Sequence, residues 1–88
     1  MEETVVSAFS NTVRLKLLCC LLESSKNVED LISNCGLAQS AVSQHLTKLK
    51  KAGLVKTTRK GRFIYYSLKD RKTGNFAKSF TKYLRQVN

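Results

Sequence analysis

The chain has 88 residues, the length of one small domain, and leaves no room for a two-domain enzyme with a deep substrate cleft. Sixteen Lys and Arg against six Asp and Glu give a formal net charge of +10, and hydrophobic residues make up 42% of the chain, enough to fold around a core. Proline is absent and glycine scarce, which argues against collagen-like or linker-type disorder. No run of about 20 apolar residues is present to span a bilayer. The acidic start Met1-Glu2-Glu3, followed by scattered apolar residues, argues against a secretory signal. The expectation is a cytoplasmic protein, not a membrane protein, with an anionic partner.

In chain order, Val5, Val6 and Phe9 suggest a short first helix. Ser10 and Asn11 then offer side-chain oxygens that can cap a new helix start. Behind them Val13, Leu15, Leu17, Leu18, Leu21 and Leu22 are apolar nearly all the way round, as in a helix covered on several sides. Ser24 to Asn27 interrupt it. Val28, Leu31 and Ile32 mark a short amphipathic helix ending near Asn34-Cys35-Gly36, where glycine suits the left-handed residue that closes a helix.

The segment from Ala38 to Lys51 puts Ala41 or Val42, Leu46 and Leu49 on one face, with Gln39, Ser40, Ser43, Gln44, Thr47 and Lys48 on the other. Ala52-Gly53 closes it. Beyond Gly53 the period becomes alternating: residues 54–58 and 62–68 are rich in β-branched and aromatic side chains. Arg59-Lys60-Gly61 lies between them as a cationic hairpin turn. Phe76, Phe80, Tyr83, Leu84 and Val87 then recur at the spacing of an amphipathic helix. The expected fold is mainly α with a small β-hairpin (α+β), in the order α-α-α-α-β-β-α, as one domain over residues 1–88.

Cys19, Cys20 and Cys35 are odd in number, and two are adjacent. With no export signal in view, reduced thiols are expected and a disulfide framework is not.

The charge is unevenly placed. Residues 1–35 hold three basic and five acidic residues, net −2, whereas residues 36–88 hold thirteen basic residues against Asp70 alone, net +12. Such asymmetry is expected when one side of a domain faces phosphates. Two helices joined by a tight glycine-bearing turn make a helix-turn-helix when the second presents small and amide side chains outward. Glutamine can bond the adenine N6/N7 edge, and serine or threonine can bond several bases. Gln39, Ser40, Ser43, Gln44 and Thr47 are groups of that kind. Lys48, Lys50 and Lys51 lie later on the helix and suit phosphate oxygens. Arg59, Lys60 and Arg62 then look like the cations of a wing, able to approach the minor groove or the backbone.

Taken together, Phe9-Ser10-Asn11-Thr12-Val13-Arg14-Leu15, Gly36 through Leu46, Leu49 with Ala52-Gly53-Leu54-Val55, and Gly61-Arg62 through Tyr65-Tyr66-Ser67-Leu68 resemble the ArsR/SmtB family over roughly residues 5–85. The resemblance implies a winged helix-turn-helix repressor acting as a homodimer on an inverted-repeat operator. It implies that residues 38–51 enter the major groove and that residues 59–62 lie on the minor groove or backbone. It also implies dimerisation through the first and last helices, by Val5, Val6, Phe9, Phe76, Phe80, Tyr83, Leu84 and Val87. The chain departs from the family at Asn11-Thr12-Val13, where a proline is common. A second departure is Ala38, where a serine usually starts the recognition helix, so that the cap there must come from elsewhere or be weak.

Metal-sensing relatives carry a Cys-x-Cys before the turn, where this chain has Asn27, Val28 and Glu29. Others place Asp and His ligands on the last helix, where Asp70 survives but Lys72 stands for a His. No metal or other cofactor is expected at these sites. His45, the only histidine, reads as a packing or phosphate-contacting residue, since zinc usually needs four donors. Cys19 lies near the position of one cysteine of an oxidant-sensing pair, which makes it the candidate redox residue. Its partner on the last helix has no counterpart. With one histidine, few acids and no glycine-rich phosphate loop, no catalytic residues are expected. Two other readings compete with double-stranded DNA binding: a winged-helix module for an acidic protein partner, and a last helix lying on anionic membranes.

Overall fold

A computed structural model describes residues 4–87. The elements are α1 (Thr4–Ala8), α2 (Thr12–Glu23), α3 (Val28–Cys35), α4 (Gln39–Lys51), β1 (Val55–Lys60), β2 (Phe63–Leu68) and α5 (Arg71–Val87). The mainly helical fold with one hairpin follows the order read from periodicity. Leu15, Leu17, Leu18 and Leu21 of α2 are buried, and α2 touches α3, α4, α5 and β2. An all-round apolar helix therefore sits in the middle of the domain, as its composition requires.

Local chemistry sets the ends of the helices. The Asn11 side chain accepts from the Val13 and Arg14 amides at 2.8 and 3.1 Å, satisfying two of the free N–H groups at the start of α2. Ser10, the other expected cap, instead donates to the Ser7 carbonyl. At the far end of α2, Lys26 Nζ donates to the Cys20 carbonyl at 2.7 Å and Arg71 to the Leu22 carbonyl at 3.2 Å. Two cations thus meet the negative end of this helix. Asn27 and Asp30 form a reciprocal capping box on α3, and Gly36, at φ +66°, ends it in the left-handed region. Ala38 precedes α4 with no side-chain cap, so that helix starts on backbone geometry and packing alone.

β1 and β2 pair antiparallel in the register Val55↔Leu68 to Lys60↔Phe63. The hairpin differs from its sequence reading. Arg59 and Lys60 belong to β1, and the turn is the two-residue Gly61-Arg62 with positive φ at Gly61 only, as in a type II′ hairpin. Lys26, read as part of an interruption, exchanges two backbone hydrogen bonds with Tyr66 at 2.9 and 2.8 Å. The segment between α2 and α3 thereby becomes a third, one-residue partner of β2. α5 comes close to α2 at Gly74, where a methyl group would run into the Leu22 and Leu68 side chains.

The expectation of three reduced thiols is corrected. Cys20 and Cys35 are joined by a disulfide with a Cα–Cα distance of 6.6 Å, and Cys19 is the free cysteine. Adjacent residues on a helix point about 100° apart. Cys20 faces α3 while Cys19 turns toward Thr81 of α5, at 4.0 Å. Parity and adjacency in the sequence carry no information about which thiol meets the end of α3. The crosslink closes a 15-residue separation, for which chain entropy gives about 3 kcal/mol. Reduction by dithiothreitol should lower the unfolding free energy of the wild-type chain, read from urea titrations, by an amount of that order, and Cys35→Ser should be insensitive to the reductant. Equal midpoints with and without dithiothreitol would show that the crosslink contributes nothing.

Candidate nucleic-acid interface

α4 divides sharply. Val42, Leu46 and Leu49 are buried, and the helix lies against α1, α2, α3 and β1. Gln39, Ser40, Ser43, Gln44, Thr47, Lys48, Lys50 and Lys51 are exposed. All six residues read as the polar face of a recognition helix therefore reach solvent together. The Thr47 hydroxyl donates to the Ser43 carbonyl at 3.0 Å, which leaves its lone pairs free to accept from an amino group. Lys48, Lys50 and Lys51 occupy the last turn, where cations also suit the helix dipole.

The wing candidates Arg59, Lys60 and Arg62 are all exposed. Lys60 Nζ lies 5.5 Å from the centre of the Tyr65 ring and Arg62 Cζ lies 5.3 Å from that of Phe63, within the range of cation–π attraction. Two wing cations are thus steadied over aromatic rings on β2.

His45 is half-buried at the edge of the polar face. Its Nδ1 lies 3.1 Å from Nη1 of Arg14. Arg14 projects from α2 and is 7% exposed, unlike the exposed Lys16 and Glu23 of the same helix. Its Nη2 donates to the Ser7 carbonyl at 2.9 Å, and Nε has no partner. Among the described residues no carboxylate forms an ion pair with Arg14. Periodicity could not reveal this contact, which joins residues 31 apart in the sequence.

The apolar residues read as a dimer interface fall into two groups. Val5, Val6, Phe76, Tyr83 and Val87 are exposed, Val6 by 79% and Tyr83 by 58%. Phe9, Phe80 and Leu84 are half-buried against the protein's own core. Phe9 and Phe76 meet edge to face at 4.9 Å, and Phe76 stacks on Phe80 at 5.9 Å, so Phe9, just past the end of α1, joins the aromatic face of α5. Asp70 accepts from the Lys72 amide at 2.9 Å and starts α5. Among the described residues no three His, Cys, Asp or Glu side chains converge, and no helix is long and apolar enough to cross a membrane.

Burial first, and then the charges of Arg14 and Lys48, hold the His45 pKa below the ordinary imidazole value. The unfolded chain therefore takes up its proton at higher pH than the fold does. The contribution of His45 to stability is complete above the ordinary imidazole range and is lost as pH falls toward the depressed folded value. Urea midpoints between about pH 8 and pH 5 should show this decline in the wild type. The His45→Asn profile should be flatter; an unchanged slope would remove His45 as its source.

Comparison with known proteins places this geometry. The model of the arsR family of bacterial regulatory proteins matches residues 11–57, from the cap of α2 into β1. The chain is 41% identical over 64 residues to the transcriptional activator HlyU of Vibrio cholerae, covering 73% of this chain and 59% of that protein. It is 45% identical over 62 residues to the nodulation protein NolR of Rhizobium meliloti, covering 70% and 51%. The chain thus spans between half and three-fifths of the length of these curated relatives. Its structure superposes on that of HlyU from Vibrio cholerae with a TM-score of 0.76 and 32% identity, covering 93% of this chain and 96% of the other. The transcriptional repressor BigR from Xylella fastidiosa gives 0.78 and 30%, covering 90% and 81%. The fold is the winged helix of these regulators, and the chain belongs to the arsR family of bacterial regulatory proteins.

Proposed function

We propose that this protein is a sequence-specific, double-stranded DNA-binding transcriptional regulator, acting in the cytoplasm as a homodimeric repressor on an inverted-repeat operator. The observation that carries the reading is the face of α4. Three buried apolar residues fix the helix to the core while Gln39, Ser40, Ser43, Gln44, Thr47 and Lys48 stand in solvent beside a basic wing. In this reading α4 enters the major groove and its amide and hydroxyl groups meet base edges. Arg59, Lys60 and Arg62 lie along the minor groove or the phosphates, where their charge supplies affinity more than selectivity. The names of the relatives, an activator in HlyU and a repressor in BigR, support the reading as a transcriptional regulator.

The whole chain acts as one domain, with α1 and α5 forming the contact between two copies. Exposed Val5, Val6, Phe76, Tyr83 and Val87, together with Phe9, Phe80 and Leu84, supply the apolar side chains for it, with Phe9 and Phe76 in contact between the two segments. A twofold axis through it would set two α4 helices on successive major grooves, about 34 Å apart.

Two measurements test these statements. In binding titrations across salt, Gln39→Ala and Ser43→Ala should each cost about 1–3 kcal/mol on a selected operator and little on unrelated duplex. Lys48→Ala and Arg59→Ala should weaken both duplexes alike and lower the salt slope by about one. Operator binding unchanged in all four variants would remove α4 and the wing from the interface. In sedimentation at micromolar concentration, Tyr83→Glu should convert a wild-type dimer to monomers, because a twofold axis brings the new charge in twice. A wild-type chain that sediments as a monomer would defeat the homodimer.

A further inference from the structure

The Arg14–His45 contact has a defined polarity. A guanidinium has five N–H donors and no acceptor, so at 3.1 Å the His45 Nδ1 must be the acceptor and carries no proton. A neutral imidazole with a bare Nδ1 holds its proton on Nε2. That nitrogen has no hydrogen-bond partner among the described residues and is absent from their buried unpaired atoms, so it opens to solvent. Lys48 stands one turn along α4, exposed. Arg14, buried without a carboxylate among the described residues, adds positive potential from beneath.

We infer that Arg14 is a positioning residue that holds His45 in the Nε2–H form, and that His45 donates through Nε2 to a DNA backbone phosphate, with Lys48 beside it. The inference rests on the docking of α4 proposed above and assigns one contact within it. A phosphate is favoured over a base edge because His45 is half-buried at the margin of the polar face, flanked by Arg14 and Lys48, while the exposed centre belongs to Ser40, Ser43, Gln44 and Thr47. The arrangement also ties the first and fourth helices together. The same guanidinium bonds the Ser7 carbonyl of α1, so the position of this donor depends on the helix assigned to dimer contact. Protonation of Nδ1 would place an imidazolium against Arg14 and Lys48, the charged groups facing the ring from α2 and from its own helix, and would remove the acceptor that Arg14 uses.

Two substitutions separate the two nitrogens. In His45→Asn the amide oxygen can replace Nδ1 as the acceptor for Arg14, but nothing replaces the outer donor. In His45→Gln the amide nitrogen reaches toward the place of Nε2, but the acceptor near Arg14 is lost. His45→Asn should keep the wild-type urea midpoint at neutral pH and bind both a selected operator and a duplex of random sequence about ten- to a hundredfold more weakly. Its salt slope should be unchanged, because a neutral donor displaces no counterion, in contrast to Lys48→Ala. His45→Gln should show the crossed pattern, with lower stability and better retained binding. Long-range proton–nitrogen spectra of the single histidine ring should show the Nε2–H form alone at neutral pH, without DNA.

An Nδ1–H ring, or His45→Asn binding as the wild type does, would overturn the assignment and leave α4 as the reading helix. A loss confined to the selected operator would replace the phosphate by a base. A wild-type chain that binds neither duplex would overturn the docking of α4, and this contact with it.

Discussion

The burial of Val42, Leu46 and Leu49 beneath α4 is the constraint on which the rest of the structure depends. These side chains lie at helical spacing, so burying them fixes the rotation of α4 about its own axis as well as its position. Once that rotation is set, the polar residues between them have only one direction to face. The leucines of α2 supply the surface on which α4 rests, and α3 and β1 close its flanks. A helix with no side-chain cap and three lysines in its last turn is thus held by packing rather than by its own end chemistry, as most helical stability in proteins is.

Around this core, polar groups are buried only where they can be satisfied. Lys26 is 7% exposed, yet its ammonium meets two carbonyls and a hydroxyl at the end of α2, where helix polarity favours a cation. Its exposed Glu23 partner, at 3.8 Å, adds little beside those bonds. Arg14 is a different case. Its fork is held by a carbonyl, a hydroxyl and a neutral imidazole, with Nε left unpaired. Such an arrangement couples the protonation of His45 to the fit of α4 on α2.

Much of the fold is legible in the sequence. The all-round apolar character of Val13–Leu22 called for a central helix. Glycines at 36 and 53 marked two boundaries, and the shift from helical to alternating period after Gly53 marked the hairpin. The polar face of α4 was legible for the same reason: when apolar residues define the inside, the remaining residues define the outside. The limits of the wing were less legible. Arg59 and Lys60 look like turn residues by composition, but cross-strand pairing with Ile64 and Phe63 draws both into β1. The reach of a ladder is set by its partner strand, not by local preference.

Periodicity, composition and turn residues by themselves determined the element order, the central helix and the outward face of α4, because each is a property of neighbours along the chain. Three features were decided only by tertiary structure. Cys20 meets Cys35 and not Cys19 because α3 folds back along one particular side of α2. Lys26 pairs with Tyr66 because the hairpin returns beside the end of α2. Arg14 meets His45 because packing brings the start of α2 against the middle of α4. Each depends on distance in space between residues far apart in sequence, and a pattern of period 2 or 3.6 carries no record of that distance.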